Sequence, residues 1–366
     1  MTHRERLLAP FRGMAPECPA WVADLSYWHA AHSEMGDLDP RHQGREGYDR
    51  LHRDLGVCLY YTQPGATFAA RYDGVETGTT QEDGSRVRWW RTPEGELSER
   101  WEYLPRAHCW ARTRYAARSA AELRIVQQIA RRTRHAPAPE GFLRTAESLG
   151  DDGLPISPTP RSPLPALMTD WCGVTATCYL IADEPQAVED TLAILGEAAD
   201  PAYEAICAGP SELIHVCDNL DSASYTSYFE PYMEAYYRRR LAQLHAAGKV
   251  VATHLDGMVR GLLPRLADVG FDAVESITPA PVGDVEIEEL RALCRDRDTV
   301  IWGGIPGAMF TPPWTSDDLR SHTRRLIDAL AHDGRLILGS ADQVPPDGDI
   351  DLCRVIAEAI QEHARA

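Results

Sequence analysis

The sequence lacks several features that would assign it at once to a class of protein. No apolar run in its 366 residues approaches the roughly 20 residues that a membrane-spanning helix needs. The first residues are charged and then amphipathic, without the apolar core of a signal peptide. The nine cysteines include no Cys-x-x-Cys pair and no dense disulfide pattern. We therefore expect a soluble, cytoplasmic protein with reduced cysteines and no membrane partner.

Basic residues and nucleotide-binding motifs are also scarce. The chain has 37 Lys and Arg against 55 Asp and Glu, which gives a formal net charge of −18. Nucleic acids and anionic membranes are bound by clustered cations, so we expect neither as a partner. The chain has no G-x-G-x-x-G motif, no phosphate-binding P-loop and no G-x-S-x-G elbow. Nothing in these motifs therefore supports a nucleotide site, and the net charge says little about small-molecule substrates.

The first part of the chain has the sequence pattern of a β-rich and helical elaboration. Residues 67–105 alternate polar and apolar positions between Asp-Gly and Glu-Gly turns, which predicts antiparallel hairpins. Residues 117–134 have helical periodicity, and the Pro- and Gly-rich residues 136–165 predict a loop with at most one short strand. We expect residues 1–110 to cap a domain formed by residues 111–366, the two being integrated.

From about residue 165 short apolar runs alternate with helical patterns. The runs are Leu213–Cys217, Val250–His254, Ala273–Ile277, Thr299–Trp302 and Leu336–Gly339. The helical patterns are Pro185–Ala199, Glu230–Ala247, Met258–Val269, Glu286–Asp296, Ser316–His332 and Asp349–Ala364. Strands separated by helices indicate parallel βαβ units, so the fold class is α/β. An open doubly wound sheet fits the pattern too, but we favour a (β/α)8 TIM barrel with an N-terminal elaboration.

Polar side chains lie at the ends of these predicted strands. They are, in chain order, Asp218, Asn219, His254, Asp256, Glu275, Ser340 and Asp342. The carboxyl ends of parallel strands form one face, where the active site of such folds is built. The pattern therefore predicts a functional cluster. The alternative interpretation is that the aspartates cap the following helices and that His254 is a core histidine.

One imidazole and three carboxylates give this cluster a defined chemistry. His254, Asp256, Glu275 and Asp342 would form a reasonable ligand shell for zinc, iron or manganese. Without a metal the carboxylates would repel one another, and at least one would have a raised pKa and act as an acid. The residues alone leave both states open.

Aromatic residues are the other candidates for a binding site. They are Trp21, Tyr27, Trp28, Tyr60 and Tyr61, and they either line a ligand pocket or pack the hairpins. We take Tyr27, Trp28 and Asn219 as candidate substrate-binding residues. His215 and Cys217 alternate with core positions on one strand, which favours buried packing for both.

Several segments resemble a known family. Residues 248–284, 301–306 and 336–351 resemble the uroporphyrinogen decarboxylase superfamily, and residues 91–97 are similar to its methyltransferase-type, corrinoid-linked members. The resemblance implies a single (β/α)8 barrel with enzymatic activity. True uroporphyrinogen decarboxylases carry arginines near the N-terminus that bind substrate carboxylates. Residues 24–29 have none here, so the methyltransferase-type members are the better match.

The resemblance also implies a metal site. The corrinoid-linked methyltransferases hold zinc through a His-x-Cys motif, in some members a Glu, and a late Cys. His254 matches the His, Asp256 replaces the first Cys, Glu275 falls near the Glu, and Asp342 or Ser340 falls near the late Cys. Carboxylates in place of thiolates make a harder and more Lewis-acidic site for a divalent metal, with zinc favoured over iron or manganese.

The function implied by the resemblance is methyl transfer between a small O- or N-methyl substrate and a corrinoid, which a partner protein would carry. Asp342 is then a metal ligand or a catalytic proton carrier, Asp218 is a catalytic residue, and Asn219 orients the substrate. A decarboxylase or other lyase is an alternative, with Arg91 and Arg106 as its substrate-binding cations. A non-catalytic ligand-binding barrel is another, and it predicts that the carboxylates share no cavity.

Overall fold

The structure is a computed structural model that describes residues 1–60, 65–295 and 298–365 of the chain. Its strands are β1 (Ala20–Asp24), β2 (Phe68–Tyr72), β3 (Glu76–Glu82), β4 (Ser85–Thr92), β5 (Gly95–Leu104), β6 (Cys109–Arg114), β7 (Thr133–Pro137), β8 (Ser157–Pro158), β9 (Leu213–Leu220), β10 (Val250–Leu255), β11 (Ala273–Ile277), β12 (Val300–Pro306) and β13 (Leu336–Gln343).

The α-helices are α1 (His3–Leu8), α2 (Ser26–Met35), α3 (Gly44–Leu55), α4 (Ala120–Arg131), α5 (Glu140–Leu149), α6 (Pro163–Pro165), α7 (Val174–Asp183), α8 (Pro185–Ala198), α9 (Asp200–Ala208), α10 (Ser222–Tyr225), α11 (Phe229–Tyr232), α12 (Glu234–Ala246), α13 (Leu263–Val269), α14 (Leu290–Leu293), α15 (Ser316–Leu330) and α16 (Leu352–His363). Short 3-10 segments are Pro10–Arg12, Pro40–His42, Thr226–Tyr228, Ile287–Glu289, Gly307–Phe310 and Ala331–Asp333. Within the described residues, no helix combines the length and apolar character needed to cross a bilayer.

A parallel sheet of seven strands organises the second half of the chain. Its order is β1-β13-β12-β11-β10-β9-β8, and every neighbouring pair is parallel. The five strands predicted from the apolar runs are β9 to β13, each hydrogen-bonded to the next, which confirms the α/β class. Such runs read as continuous hydrophobic stretches because both faces of a parallel strand are covered; all five residues of β11 are buried.

The sheet curls, and one segment makes contact with both of its sides. Val22 of β1 forms an isolated parallel bridge with Cys58, and Leu59 forms another with Gly153, just before β8. The amide of Leu154 also donates to the carbonyl of Leu59 at 2.9 Å. These are single bridges and not a continuous ladder. The curled seven-stranded sheet is therefore what the structure establishes, and the complete eight-stranded barrel stays a prediction.

Alternate positions of the sheet strands build an inner core. Leu213, Ala252, Ala273 and Val300 belong to it, together with the bulky Trp302. Successive side chains of a strand point to opposite faces, so the residues two positions further along continue the same inner face. At those positions β9, β10 and β11 change from apolar to polar side chains. The polar cluster thus lies directly next to the apolar inner core, towards the carboxyl ends of the strands.

The first part of the chain is divided between sheets. Residues 1–110 supply β1 to the parallel sheet, while β3 to β6 form an antiparallel sheet and β2 pairs with β7. Of the hairpins predicted in residues 67–105, those joining β3 to β4 and β4 to β5 are confirmed. Residue 110 lies within β6, which pairs with β5, so the division at that residue stays a proposal.

Three predicted elements differ from the structure. The loop predicted for residues 136–165 contains α5, whose Phe142 and Leu149 are buried; its nearby Pro and Gly residues concealed the helical period. The helix predicted from Met258 begins only at α13, because Pro264 fixes the start of that helix. The helix predicted to end at Asp296 is a 3-10 turn followed by the short α14, and Asp296 lies outside the described residues.

Candidate metal centre

The strands β9 to β13 all end in irregular backbone. The φ angles of Asn219, Ser276 and Asp342 are 52°, 70° and 61°, and those of Gly257 and Gly303 are 56° and 138°. The β9–β10 and β11–β12 ladders shift register close to these ends. Positive φ is uncommon for residues other than glycine, and such residues concentrate at functional sites. The carboxyl rim of the sheet therefore has distorted backbone, including three residues other than glycine with positive φ.

His254 and Glu275 form a buried pair at this rim. They are register partners on β10 and β11. Nδ1 of His254 lies 2.7 Å from Oε2 of Glu275, and the two residues are 3% and 1% exposed. An imidazole nitrogen at this distance donates its proton to the carboxylate. The other ring nitrogen, Nε2, is thereby directed away from Glu275.

Glu275 also contacts a second histidine and a tyrosine. Its Oε2 lies 3.4 Å from Nε2 of His215, and its Oε1 accepts a hydrogen bond from the hydroxyl of Tyr60 at 3.1 Å. Burial raises the pKa of Glu275, but His254 and His215 outweigh burial and lower that pKa to about 2. The buried side chain is therefore a carboxylate, held between two imidazoles.

Both imidazoles respond to this carboxylate. Burial lowers the pKa of His215, but Cys217 and Glu275 outweigh it and raise that pKa to about 10. Burial likewise lowers the pKa of His254, and Glu275 and Asp256 together raise it well above its ordinary value. His215 is buried, as predicted, and its ring also belongs to a polar network with Glu275 and Cys217.

On its other side His254 faces two aspartates. Its Nε2 is buried and has no hydrogen-bond partner among the described residues, and it lies 3.6 Å from Oδ2 of Asp256. Ligand atoms of His254, Asp256 and Asp342 all lie within 4.8 Å of one another. Burial raises the pKa of Asp342, and the neighbouring Asp256 and Glu275 raise it further, against the effect of His254. An unpartnered nitrogen beside two carboxylates is a donor set that fits a divalent cation.

The two aspartates open into a cavity of about 470 Å³. The residues that line it are Tyr27, Asp256, Gly257, Thr278, Val282, Gly307, Ala308, Thr311, Ala341, Asp342, Gln343, Pro345 and Asp347. A second cavity of about 480 Å³ shares Tyr27, Pro345 and Asp347 with the first. Arg106 and His108, from the turn between β5 and β6, line this second cavity. The N-terminal part of the chain thus borders the mouth of the site.

Two predicted site residues have other surroundings than expected. Asp218 is fully buried; its Oδ1 accepts from the amide of Ser162 at 2.8 Å and its Oδ2 from the hydroxyl of Tyr237 at 2.7 Å. These contacts indicate a structural role for Asp218, and its catalytic role stays a prediction. Glu275 contacts Nδ1 of His254, whereas Asp256 lies near Nε2 of the same ring. The four residues predicted as one ligand set therefore fall into two groups on opposite sides of that ring.

The predicted substrate-binding residues occupy different positions. Tyr27 lines both cavities and donates a hydrogen bond to the carbonyl of Ala107. Asn219 is exposed at the end of β9. Trp28 is half-buried, and its indole donates to the carbonyl of Gly348 at 3.0 Å. Trp21 lies in the core, and Tyr61 lies outside the described residues.

Two rim residues were missed in the sequence. The hydroxyl of Ser276 accepts a hydrogen bond from the amide of Asp342 at 2.6 Å and so holds the left-handed backbone at that residue. The side-chain amide of Gln343 donates to Asp24 at 3.0 Å and links β13 to β1. Both residues lie next to predicted site positions in the sequence, and this adjacency is the signal that could have identified them.

Comparisons with known proteins agree with the fold. A methyltransferase from Methanosarcina mazei has a similar structure, with a TM-score of 0.61 and 14% identity over 99% of both chains. A 3-dehydroquinate dehydratase from Geobacillus kaustophilus HTA426 covers 70% of this chain and 95% of its own at 10% identity, and its TM-score of 0.29 carries no weight. No curated protein sequence matches significantly.

A family match accounts for the larger part of the chain. The model of the family described as uroporphyrinogen decarboxylase (URO-D) matches residues 155–363. That range contains β8 to β13 and every residue of the cluster around His254 except Tyr60. The resemblance found in the sequence is thus confirmed, and the chain belongs to the uroporphyrinogen decarboxylase family.

Proposed function

We propose that this protein is a metal-dependent enzyme that moves a methyl group to or from a small substrate. The observation that carries the proposal is Nε2 of His254, which is buried, has no hydrogen-bond partner among the described residues and faces two carboxylates. His254, Asp256 and Asp342 would hold a divalent ion, zinc before iron or manganese. When bound, the ion would act as a Lewis acid towards the heteroatom that carries the methyl group.

In this proposal Glu275 positions His254 and does not bind the ion. By accepting the proton of Nδ1 it fixes the ring orientation and makes Nε2 the nitrogen that would bind the ion, in place of the proton that the raised pKa of His254 keeps there. Tyr60 holds the second oxygen of Glu275, so the carboxylate cannot rotate freely. Ligand histidines commonly have such a carboxylate behind them, which supports a role for the pair beyond packing.

The oxygen ligands favour a particular substrate class. Thiolate ligands, which the corrinoid-linked relatives use, suit the activation of a substrate thiol, whereas carboxylates make a harder site. We therefore propose an O- or N-methyl substrate bound in the cavity beside Asp256 and Asp342. Asp342 either binds the ion or carries the proton that the departing heteroatom takes up, a role that its raised pKa supports.

The proposed methyl acceptor is a corrinoid on a partner protein. The fold shared with the methyltransferase from Methanosarcina mazei over the whole chain supports this class of reaction. We also propose that residues 57–60 occupy the eighth position of a (β/α)8 barrel, as the bridges of Cys58 and Leu59 suggest. Residues 1–110 would then cap the mouth, where the β5–β6 turn already borders it.

A decarboxylase or lyase is the second candidate, and one observation favours it. Arg106 lines the cavity next to the aspartates, where it could bind a substrate carboxylate. Arg91, the other cation predicted for this role, is instead paired with Glu76 and Glu96 at the surface. A single exposed arginine is weaker support than the unpartnered nitrogen of His254.

Elemental analysis of the purified protein tests the proposal. We expect about one zinc, iron or manganese ion per chain and a loss of at least tenfold in metal content in His254→Ala. His245→Ala is the matched control, because His245 is a half-exposed histidine that pairs with Asp272 at the surface. Unchanged metal content in His254→Ala would refute the assignment of His254 as a metal ligand.

An assay of methoxylated compounds and methylamines with cob(I)alamin as acceptor then separates the two candidates. Methyl transfer that depends on His254 supports the first. Release of carbon dioxide from a carboxylated substrate, without metal dependence but abolished in Arg106→Ala, would establish the second and exclude the first.

A further inference from the structure

Cys217 and His215 form a reactive arrangement one strand away from the proposed metal ligands. Sγ of Cys217 lies 2.9 Å from Nδ1 of His215, and Nε2 of the same ring lies 3.4 Å from Oε2 of Glu275. His215 is 1% exposed, whereas Cys217 is only half-buried. A thiol, an imidazole and a carboxylate in this order are the parts of a nucleophile, its base and the group that orients the base.

The thiol is directed into the interior of the curled sheet. Leu213, His215 and Cys217 are alternate residues of β9 and share one face of the strand, and Leu213 belongs to the inner core. Val216 and Asp218 lie on the opposite face, against the outer core and the helices. Cys217 therefore occupies the inner face at the carboxyl end of its strand, where active sites of this fold class are built.

Two basic groups lie near Cys217, an imidazole at its thiol and a guanidinium at its backbone carbonyl. Glu275 is anionic and binds the far nitrogen of the imidazole, which supports a proton on the near one. Arg161 donates to the backbone carbonyl of the cysteine and is itself paired with Asp170 at 3.1 Å. Asp218 follows directly in the sequence, but its carboxylate points to the other face. A nearby cation and a base are what activate a cysteine.

Another cysteine provides an internal comparison. Cys207 is also half-buried, but the nearest partner of its Sγ is the backbone carbonyl of Gln243 at 3.8 Å. Burial raises the pKa of Cys207 and outweighs the opposing effects of Lys249 and Arg240, neither of which is a base at its thiol. The two thiols are similar in exposure and differ in their neighbours, so a difference in reactivity between them reports on those neighbours.

We propose that Cys217 is a nucleophile towards small carbon electrophiles, with His215 as its base and Glu275 as the residue that positions His215. The thiol proton passes from Sγ to Nδ1 of His215. The sulfur electron pair then forms an S–C bond, and the leaving group departs with the electrons of the bond that breaks. This inference goes beyond the proposed methyl transfer and does not require the metal.

Alkylation of the full-length protein by iodoacetamide, followed residue by residue with mass spectrometry, tests the proposal. At pH 6.5 we expect Cys217 to react at least tenfold faster than Cys207. The advantage should fall at least tenfold in His215→Asn, whereas His245→Asn should leave it intact.

Each contrary outcome is informative. Equal rates for Cys217 and Cys207 in the unaltered protein would overturn the proposal, and this comparison needs no variant should His215→Asn fail to fold. An unchanged rate in folded His215→Asn would overturn it as well. Protection of Cys217 by stoichiometric zinc would show that the thiol is a metal ligand instead, so that result also counts against it. Loss of metal in His254→Ala with Cys217 still reactive would support the nucleophile and show that its reactivity does not depend on the metal.

Discussion

Oε2 of Glu275 lies 2.7 Å from Nδ1 of His254, and this contact separates two polar regions of the sheet interior. On one side are His215 and Cys217, and on the other are the aspartates at the mouth. A single buried carboxylate therefore orients the histidines of both regions. Its replacement should disturb both, whereas replacement of an aspartate should disturb only one.

Glu275→Gln should weaken metal affinity by about 10- to 100-fold, the usual effect of replacing a group that orients a metal ligand. The substitution also leaves two buried imidazoles without their counter-charge, which should cost about 3–5 kcal/mol of unfolding free energy. Metal titration and urea unfolding measure the two effects. Glu289→Gln is the control, since Glu289 forms an exposed pair with Arg260 and its replacement should leave both metal affinity and stability nearly unchanged. Unchanged metal affinity in Glu275→Gln would contradict the positioning role.

Asp218→Asn should distinguish a structural role of Asp218 from a catalytic one. Asp218 accepts hydrogen bonds from the amide of Ser162 and from Tyr237, and an amide nitrogen in place of one oxygen would face a donor. We expect a loss of about 1–3 kcal/mol in unfolding free energy with metal content unchanged. Tyr237→Phe combined with Asp218→Asn should be less destabilising than the sum of the two changes. A large loss of activity in stable Asp218→Asn would instead support the catalytic role predicted from the sequence.

His52 should make the protein sensitive to acid. Burial lowers its pKa from 6.5 to about 4, although the backbone carbonyls of Tyr48 and Ala23 act in the other direction. Because the folded state binds the proton less readily than the unfolded state, this contribution to stability is present above pH 6.5. It is lost as the pH falls through about 4, by about 3 kcal/mol in total. Urea unfolding at pH 7 and pH 4 should show this decline, and His52→Gln should reduce it. An equal decline in both proteins would refute the assignment.

Gly303→Ala should destabilise the sheet beneath the site. A β-carbon on Gly303 would lie 2.6 Å from the amide nitrogen of Ile277, and the φ angle of 138° disfavours any side chain. Steric strain of this kind costs roughly 2–4 kcal/mol, measurable by urea unfolding. Gly141→Ala is the control, because Gly141 lies in α5 with open space around its β-position. That change should be neutral or stabilising.

The sequence predicted those features that depend on pattern. Strands β9 to β13 were recognisable because buried parallel strands are short apolar runs. Of the polar residues at their ends, His254, Asp256, Glu275 and Asp342 come together, whereas Asp218 faces the helices. Helix α5 was missed because its amphipathic period begins among prolines and glycines. The side of His254 that each carboxylate contacts could not be predicted, because packing and not spacing sets side-chain orientation. Alternation along β9, however, already places Asp218 on the face opposite His215.

The twisted backbone at the rim has a consequence for how such a centre can diversify. Asp342 holds a left-handed conformation that Asp and Asn tolerate, while Asp256 has no such constraint. A cysteine at position 342 would carry a conformational cost of about 1–2 kcal/mol that a cysteine at position 256 would not. Exchange between oxygen and sulfur donors is therefore asymmetric: one position can vary freely, and the other can follow only after the loop around it has been rebuilt.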